Sequence, residues 1–254
     1  MPIPSNLSSY QPKPELLTNK TILVTGAGDG IGRAAAMAYA KHGATVILLG
    51  RTESKLGEVY DAIEQAGLPQ AAVAPFDLAS TDEAAYRDLA AQLQEHFGSL
   101  HGLLHNAGEL GQLKPLAQYA GADFRRLLDT NLLSNFLLTK SLMPMLEAAA
   151  YASVIFTSSS VGRKGRAYWG AYAVSKFGVE GLMQVWADEL ANTSNIRMNS
   201  LNPGGTRTAM RRRAYPAEAA AACPAAEEIM GAYLYLMGDE SIGVTGSALD
   251  ARPR

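Results

Sequence analysis

Cysteine is almost missing from this chain. Cys223 is the only one in 254 residues, so no disulfide can form within it. That excludes a disulfide-built scaffold and fits a reducing compartment. An excess of one charge is also missing: Lys+Arg 22 against Asp+Glu 24 leaves a net charge of −2. Such a balance excludes a polycationic nucleic-acid binder and gives no electrostatic hold on an anionic membrane. No run reaches the roughly 18 apolar residues of a membrane span. The start, Met1-Pro-Ile-Pro-Ser-Asn-Leu, lacks the basic residues and apolar stretch of a signal peptide. The expectation is a soluble, cytoplasmic protein. Histidines are few: His42, His96, His101 and His105. His101 and His105 fall on one predicted strand, where four residues span about 13 Å. They cannot share a metal, so core or strand-end roles and no metal site are expected, and Cys223 reads as an incidental thiol.

What the chain does have is an alternation of short apolar runs and helical patterns. Residues 1–19 read as an irregular, proline-bearing leader. Runs at 21–25, 44–49, 71–75, 100–105, 153–157, 196–201 and 244–249 are strands by length and composition. Between them lie helical patterns at 31–42, 53–66, 81–97, 124–149, 171–191 and 225–237, the fourth bent at Pro144. This alternation of strands and helices implies a mostly parallel sheet with helices on both faces, so the fold is α/β and doubly wound, with about seven strands. Residues 20–254 form one domain. Two stretches, 108–120 and 204–224, lack regular pattern and are candidate lids.

The first strand runs into Thr25-Gly26-Ala27-Gly28-Asp29-Gly30-Ile31-Gly32. Glycines let backbone approach a pyrophosphate, which the N-terminus of the next helix attracts. The spacing is Gly26-x-x-x-Gly30-x-Gly32 with Gly28 as an extra, and Asp29 and Ile31 lie within the same contact surface. At the end of the second strand, the position that would hold an acid for a ribose 2′-OH carries Gly50, and Arg51 follows. An arginine there suits a 2′-phosphate, so NADP(H) is expected over NAD(H).

Tyr172 and Lys176, in Tyr172-Ala-Val-Ser-Lys176, share a helix face at i and i+4. An ammonium beside a phenol favours the phenolate and lowers a pKa that is ordinarily about 10. Ser159, thirteen residues upstream, adds a hydroxyl able to hold a carbonyl oxygen. Together they suit interconversion of C=O and CH–OH.

In this order, the glycine turn, Asn106-Ala107-Gly108, Asn131, Ser159, the Tyr172–Lys176 pair and Pro203-Gly204-Gly-Thr206-Arg-Thr208 resemble the short-chain dehydrogenases/reductases over 17–251. The resemblance implies a Rossmann-type fold and an NADPH-dependent oxidoreductase that transfers hydride between nicotinamide and a carbonyl or alcohol. It implies Tyr172 as general acid or base, Lys176 as the group that tunes it and binds the nicotinamide ribose, and Ser159 as the hydrogen-bond partner of the substrate oxygen. Asn131 would shape the long helix and hold a relay water beside Lys176. Asp77 and Leu78 would meet the adenine, Asn106, Ala107 and Gly108 would form a cofactor turn, and Pro203, Gly204, Thr206 and Thr208 would bind the carboxamide. Asp29 departs from relatives that carry a basic residue there. The chain end, Thr245-Gly246-Ser-Ala-Leu-Asp, lacks the family's closing glycine pair, so the contacts of the last strand are expected to differ. Segments 158–165, 202–210 and 237–239 are similar to the bacterial YciK-like oxidoreductases, which implies fold and cofactor but no substrate. Homodimers or homotetramers through 124–149 and 171–191 are implied as well.

Three features stay open at this level. Arg211-Arg212-Arg213 reads either as a solvated helix end or as a lure for an anionic substrate or acyl carrier. Tyr168 and Trp169 line either the pocket or a subunit contact. Two functions compete with the small-molecule carbonyl reductase: a 3-oxoacyl thioester reductase and a catalytically silent NADP(H)-binding regulator.

Overall fold

The computed structural model describes residues 3–4 and 7–252; part of the expected leader lies outside them. Seven parallel strands form one sheet in the order β3-β2-β1-β4-β5-β6-β7. They are β1 (Thr21–Thr25), β2 (Thr45–Gly50), β3 (Ala72–Pro75), β4 (Gly102–His105), β5 (Ala152–Thr157), β6 (Ile196–Asn202) and β7 (Ala248–Asp250). Strand order reverses between β1 and β4, where Leu23 lies level with Ile47 on one side and Leu103 on the other. In an open α/β sheet, that reversal opens the ligand crevice at the strand C-termini.

Successive side chains of a strand point to opposite faces, and the core divides accordingly. On one face Ile22, Val24, Val46 and Leu48 pack with α1 (Gly30–Lys41), α2 (Glu53–Gln65) and α8 (Met230–Met237). On the other, Leu23, Ile47, Leu103 and Phe156 pack with α3 (Glu83–Phe97), α5 (Ser134–Glu147) and α6 (Gly170–Leu190). Small residues bring α1 against the sheet: Ala35 and Ala36 are fully buried beside Tyr39. The leader is not merely loose chain. Leu17 is fully buried, its N–H donates to the carbonyl of His42, and Tyr10 stacks edge-on against Tyr235 at 5.4 Å.

Several boundaries differ from the sequence reading, each for a local reason. The expected helix 124–149 is α4 (Gly121–Leu128), a π turn (Asp129–Leu133) and then α5. In that wider turn, side chains four residues on satisfy two carbonyls: Ser134 Oγ donates to Thr130 at 2.7 Å and Asn135 Nδ2 to Asn131 at 3.2 Å. Segment 204–224 is not wholly irregular, because Thr208 accepts from the N–H of Arg211 at 3.1 Å and caps α7 (Ala209–Ala214). The helix expected at 225–237 begins as a 3₁₀ turn, Ala226–Ile229, before α8. The last strand is β7 alone, since Gly243 (φ +92°) and Gly246 (φ +66°) turn the chain just before it. His105 is a core residue as expected: it is buried, bonded to Thr139 at 2.8 Å and stacked on Phe156, and burial pushes its imidazole down to about 3. No described helix is long and apolar enough to cross a membrane.

Candidate active site

A cavity of about 570 Å³ lies along the C-terminal ends of β1–β5 and under α7, within the usual range for ligand sites. At one end is the glycine turn. Gly26 holds φ +66°, and a Cβ on Gly32 would come within 2.1 Å of the Gly26 carbonyl. Backbone is therefore bared there at the N-terminus of α1, which fits a pyrophosphate. Thr25 fastens this turn to the next, because its hydroxyl accepts from the N–H groups of Asn106 (2.9 Å) and Ala107 (3.0 Å) and donates to Leu104 at 3.2 Å. Gly26, Gly28, Asp29, Gly30 and Ile31 line the cavity, as do Arg51, Asp77, Leu78, Asn106, Ala107 and Gly108.

Lys55 is a cavity residue that sequence reasoning missed. Its ammonium donates to Asp29 at 2.8 Å, which holds that carboxyl below its usual range. The acidic departure at Asp29 is thus neutralised from the first turn of α2. The two residues are 26 apart in sequence, too far for a local motif to reveal.

Tyr172 and Lys176 line the other end of the cavity from the first turns of α6. The Lys176 ammonium donates to the carbonyl of Thr157 at 2.7 Å and lies over the Tyr172 ring, 5.8 Å from its centroid. The expected depression of the Tyr172 pKa is not seen. Burial pushes the phenol up to about 12, and only the nearby Ser159 hydroxyl pulls it back. The physical reason is that Lys176 spends its short contact on a backbone carbonyl. Burial pushes Lys176 itself down to about 8, with Glu180 opposing.

Asn131 is fully buried in the π turn. Its Oδ1 accepts from the N–H of Glu109 (2.7 Å), and its Nδ2 donates to the Glu109 carbonyl (2.8 Å) and to Ser175 (3.1 Å). It therefore clamps the chain after Gly108 to α6. Pro203 and Thr208 line the cavity, whereas Gly204, Thr206, Ser159 and Asn131 do not. Thr206 is buried, with its hydroxyl on the Pro203 carbonyl at 3.4 Å.

Behind the tyrosine lies a buried polar network around Glu180. Its carboxylate accepts from Ser158 (2.5 Å), Ser200 (2.7 Å) and Arg163 (3.1 Å). Arg163 also reaches Asp250 (2.8 Å) and the Leu249 carbonyl (2.8 Å). So β7 does form, and its contacts run through a carboxylate rather than a glycine pair. Over the site, Arg211 is no solvated helix end: it grips Glu218 through two bonds (2.7 and 2.6 Å) and lies 3.8 Å above the Tyr215 ring. Trp169 packs between Tyr172 and Tyr215, behind the cavity wall rather than in it, while Tyr168 is exposed with φ +72°. Cys223 is buried against Glu218.

Comparison with known proteins gives a consistent result. The model of the short chain dehydrogenase family matches residues 20–219. Oxidoreductase YciK of Escherichia coli (strain K12) is 47% identical over 244 residues, 96% of each chain. A short chain dehydrogenase structure from Pseudomonas syringae is 53% identical with a TM-score of 0.94, covering 96% of this chain and 99% of that one. One from Shigella flexneri 2a, complexed with NADP, is 47% identical with a TM-score of 0.90, covering 95% and 100%.

Proposed function

The chain belongs to the short-chain dehydrogenase family, and from that premise we propose that it is an NADPH-dependent carbonyl reductase, reversible as an alcohol dehydrogenase. The observation that carries this reading is the cavity itself. A bared glycine turn flanked by Arg51 and Lys55 occupies one end, and Tyr172 with Lys176 occupies the other. Bound NADPH would supply hydride to the carbonyl carbon. The glycine turn would hold its pyrophosphate, Arg51 and Lys55 its 2′-phosphate, and Asp77 and Leu78 its adenine side. Asn106, Ala107 and Gly108 would support the adjoining ribose, and Pro203, Gly204, Thr206 and Thr208 the carboxamide. The relative from Shigella flexneri that was crystallised with NADP supports the phosphate-bearing form.

Tyr172 would donate its phenolic proton to the substrate oxygen while Ser159, close enough to the phenol to lower its pKa, would hold that oxygen in place. A phenol raised to about 12 stays protonated at neutral pH, which suits an acid in the reductive direction. Lys176 would stabilise the phenolate left behind. Asn131 would act by position, since both ends of its amide are committed to Glu109 and Ser175. Leu110 and Met210 give the substrate side an apolar wall, so apolar ketones or aldehydes are the favoured class. Exposed Val174, Phe177 and Val185 on α6 support self-association as a homodimer or homotetramer.

The test is a panel of ketones, aldehydes, quinones and 3-oxoacyl thioesters with NADPH and with NADH. The reading expects NADPH-linked reduction of at least one carbonyl class. Tight NADPH binding with no turnover across the panel would instead identify a silent regulator, and tighter binding of NADH would remove the role given to Arg51.

A further inference from the structure

One carboxylate beside the cavity holds two arginines. Glu109 Oε1 lies 3.3 Å from Arg51 Nη1 and 3.1 Å from Arg126 Nη2, and Oε2 lies 3.3 Å from Arg126 Nε. Arg126, on α4, thus grips both carboxylate oxygens side-on, whereas Arg51 makes a single contact. The backbone of Glu109 cannot give way, because Asn131 holds its N–H and its carbonyl at once. Any change in this cluster must come from side-chain rotation. Arg51 and Glu109 line the cavity and Arg126 does not.

Arg51 is the residue assigned above to a ribose 2′-phosphate, and the argument here rests on that reading. A phosphate and the Glu109 carboxylate would compete for the same guanidinium and repel each other at close range. We propose that Glu109 and Arg126 together set the preference for the 2′-phosphate: Glu109 is the internal competitor for Arg51, and Arg126 draws the carboxylate off when Arg51 turns to the phosphate. Arg126 is a positioning residue that acts through Glu109 and is not itself a phosphate ligand. The two-bond grip of Arg126 against the one-bond grip of Arg51 gives the direction of the exchange.

The discriminating experiment measures equilibrium dissociation constants for NADPH and NADH by nucleotide fluorescence, without turnover, in the full chain. Exposed charge pairs of this kind change affinity by about fivefold or less. Glu109→Gln is expected to tighten NADPH binding by up to about fivefold and leave NADH unchanged. Arg126→Ala is expected to weaken NADPH by a similar factor and spare NADH. In the double variant Glu109→Gln/Arg126→Ala, the loss caused by Arg126→Ala should vanish, because there is no carboxylate left to restrain.

An equal loss in both backgrounds would make Arg126 a direct phosphate ligand and overturn the proposal. Unchanged constants for both single variants would reduce the cluster to a surface ion pair, and weaker NADH binding in Glu109→Gln would make Glu109 a ribose acceptor; either result also overturns it. Arg51→Ala separates the premise from the proposal. If that variant leaves the NADPH/NADH ratio untouched, the assignment of Arg51 fails; if it collapses the ratio while the double variant shows no coupling, only the role of Glu109 and Arg126 fails.

Discussion

At Lys176 burial and a neighbouring carboxylate act in opposite senses: burial pushes the ammonium down to about 8, and Glu180, one turn on, pulls it back up. Tyr172 is protonated far above that pH, so Lys176 is the group that titrates in the working range. Below about 8 the ammonium is charged and can stabilise a phenolate; above it that charge is lost. The rate of carbonyl reduction, followed as kcat/KM against pH, should therefore be level below about 8 and fall above it. A profile level to pH 10 would contradict this. Glu180→Gln should lower the midpoint of that fall, because the opposing charge is gone. It should also leave Arg163 with one carboxylate instead of two and cost about 2–3 kcal/mol, or roughly 5–10 °C in Tm. Tyr172 and Lys176 were legible in the sequence because a helix fixes the spacing of their side chains. Glu180 and Arg163 were not: their partners Ser200 and Asp250 lie 20 and 87 residues away, and a buried network of that kind leaves no local period. The direction of the Tyr172 shift was misread for the same reason, since spacing reports a neighbour and does not report burial.

Elements carry the cofactor end. The β1–α1 turn works because backbone, not side chain, faces the crevice, and Gly32 is where that is tightest. Gly32→Ala would drive a methyl group into the Gly26 carbonyl, 2.1 Å from the ideal Cβ position. The turn must open, at a cost of about 1–3 kcal/mol, and NADPH titration should show at least a tenfold weaker complex; unchanged affinity would remove the turn from the site. Apolar runs set most strand positions within a residue or two, because most of these strands are buried on both faces; β6 is buried too but carries Arg197, Asn199, Ser200 and Asn202. What composition hid was departure from regular geometry. The π turn at Asp129–Leu133 reads as plain helix, and the positive φ at Gly243 and Gly246 shortens the last strand to Ala248–Asp250. The small helix α7 depends on one threonine cap inside an otherwise irregular segment.

Across the whole molecule, the fold brings together groups that no single element could. Strand ends from β1 to β4 shape one end of the cavity, α6 carries Tyr172 and Lys176 at the other, and α7 lies over it. The outer face of α6 keeps Phe177 and Val185 about half exposed, at 46% and 56%, in line with a subunit contact. Phe177→Lys with Val185→Lys should convert an oligomer to monomers in light scattering after size exclusion; a native mass equal to one chain before mutation would contradict that contact. The central claim is that one cavity both binds NADPH and delivers a proton from Tyr172. Its most direct test pairs two readings on Tyr172→Phe: the NADPH dissociation constant and the rate of NADPH-linked reduction of a carbonyl that the native protein turns over. The account expects unchanged binding and a rate lower by about 10²–10⁴-fold, whereas reduction at the native rate with the phenol removed would contradict it.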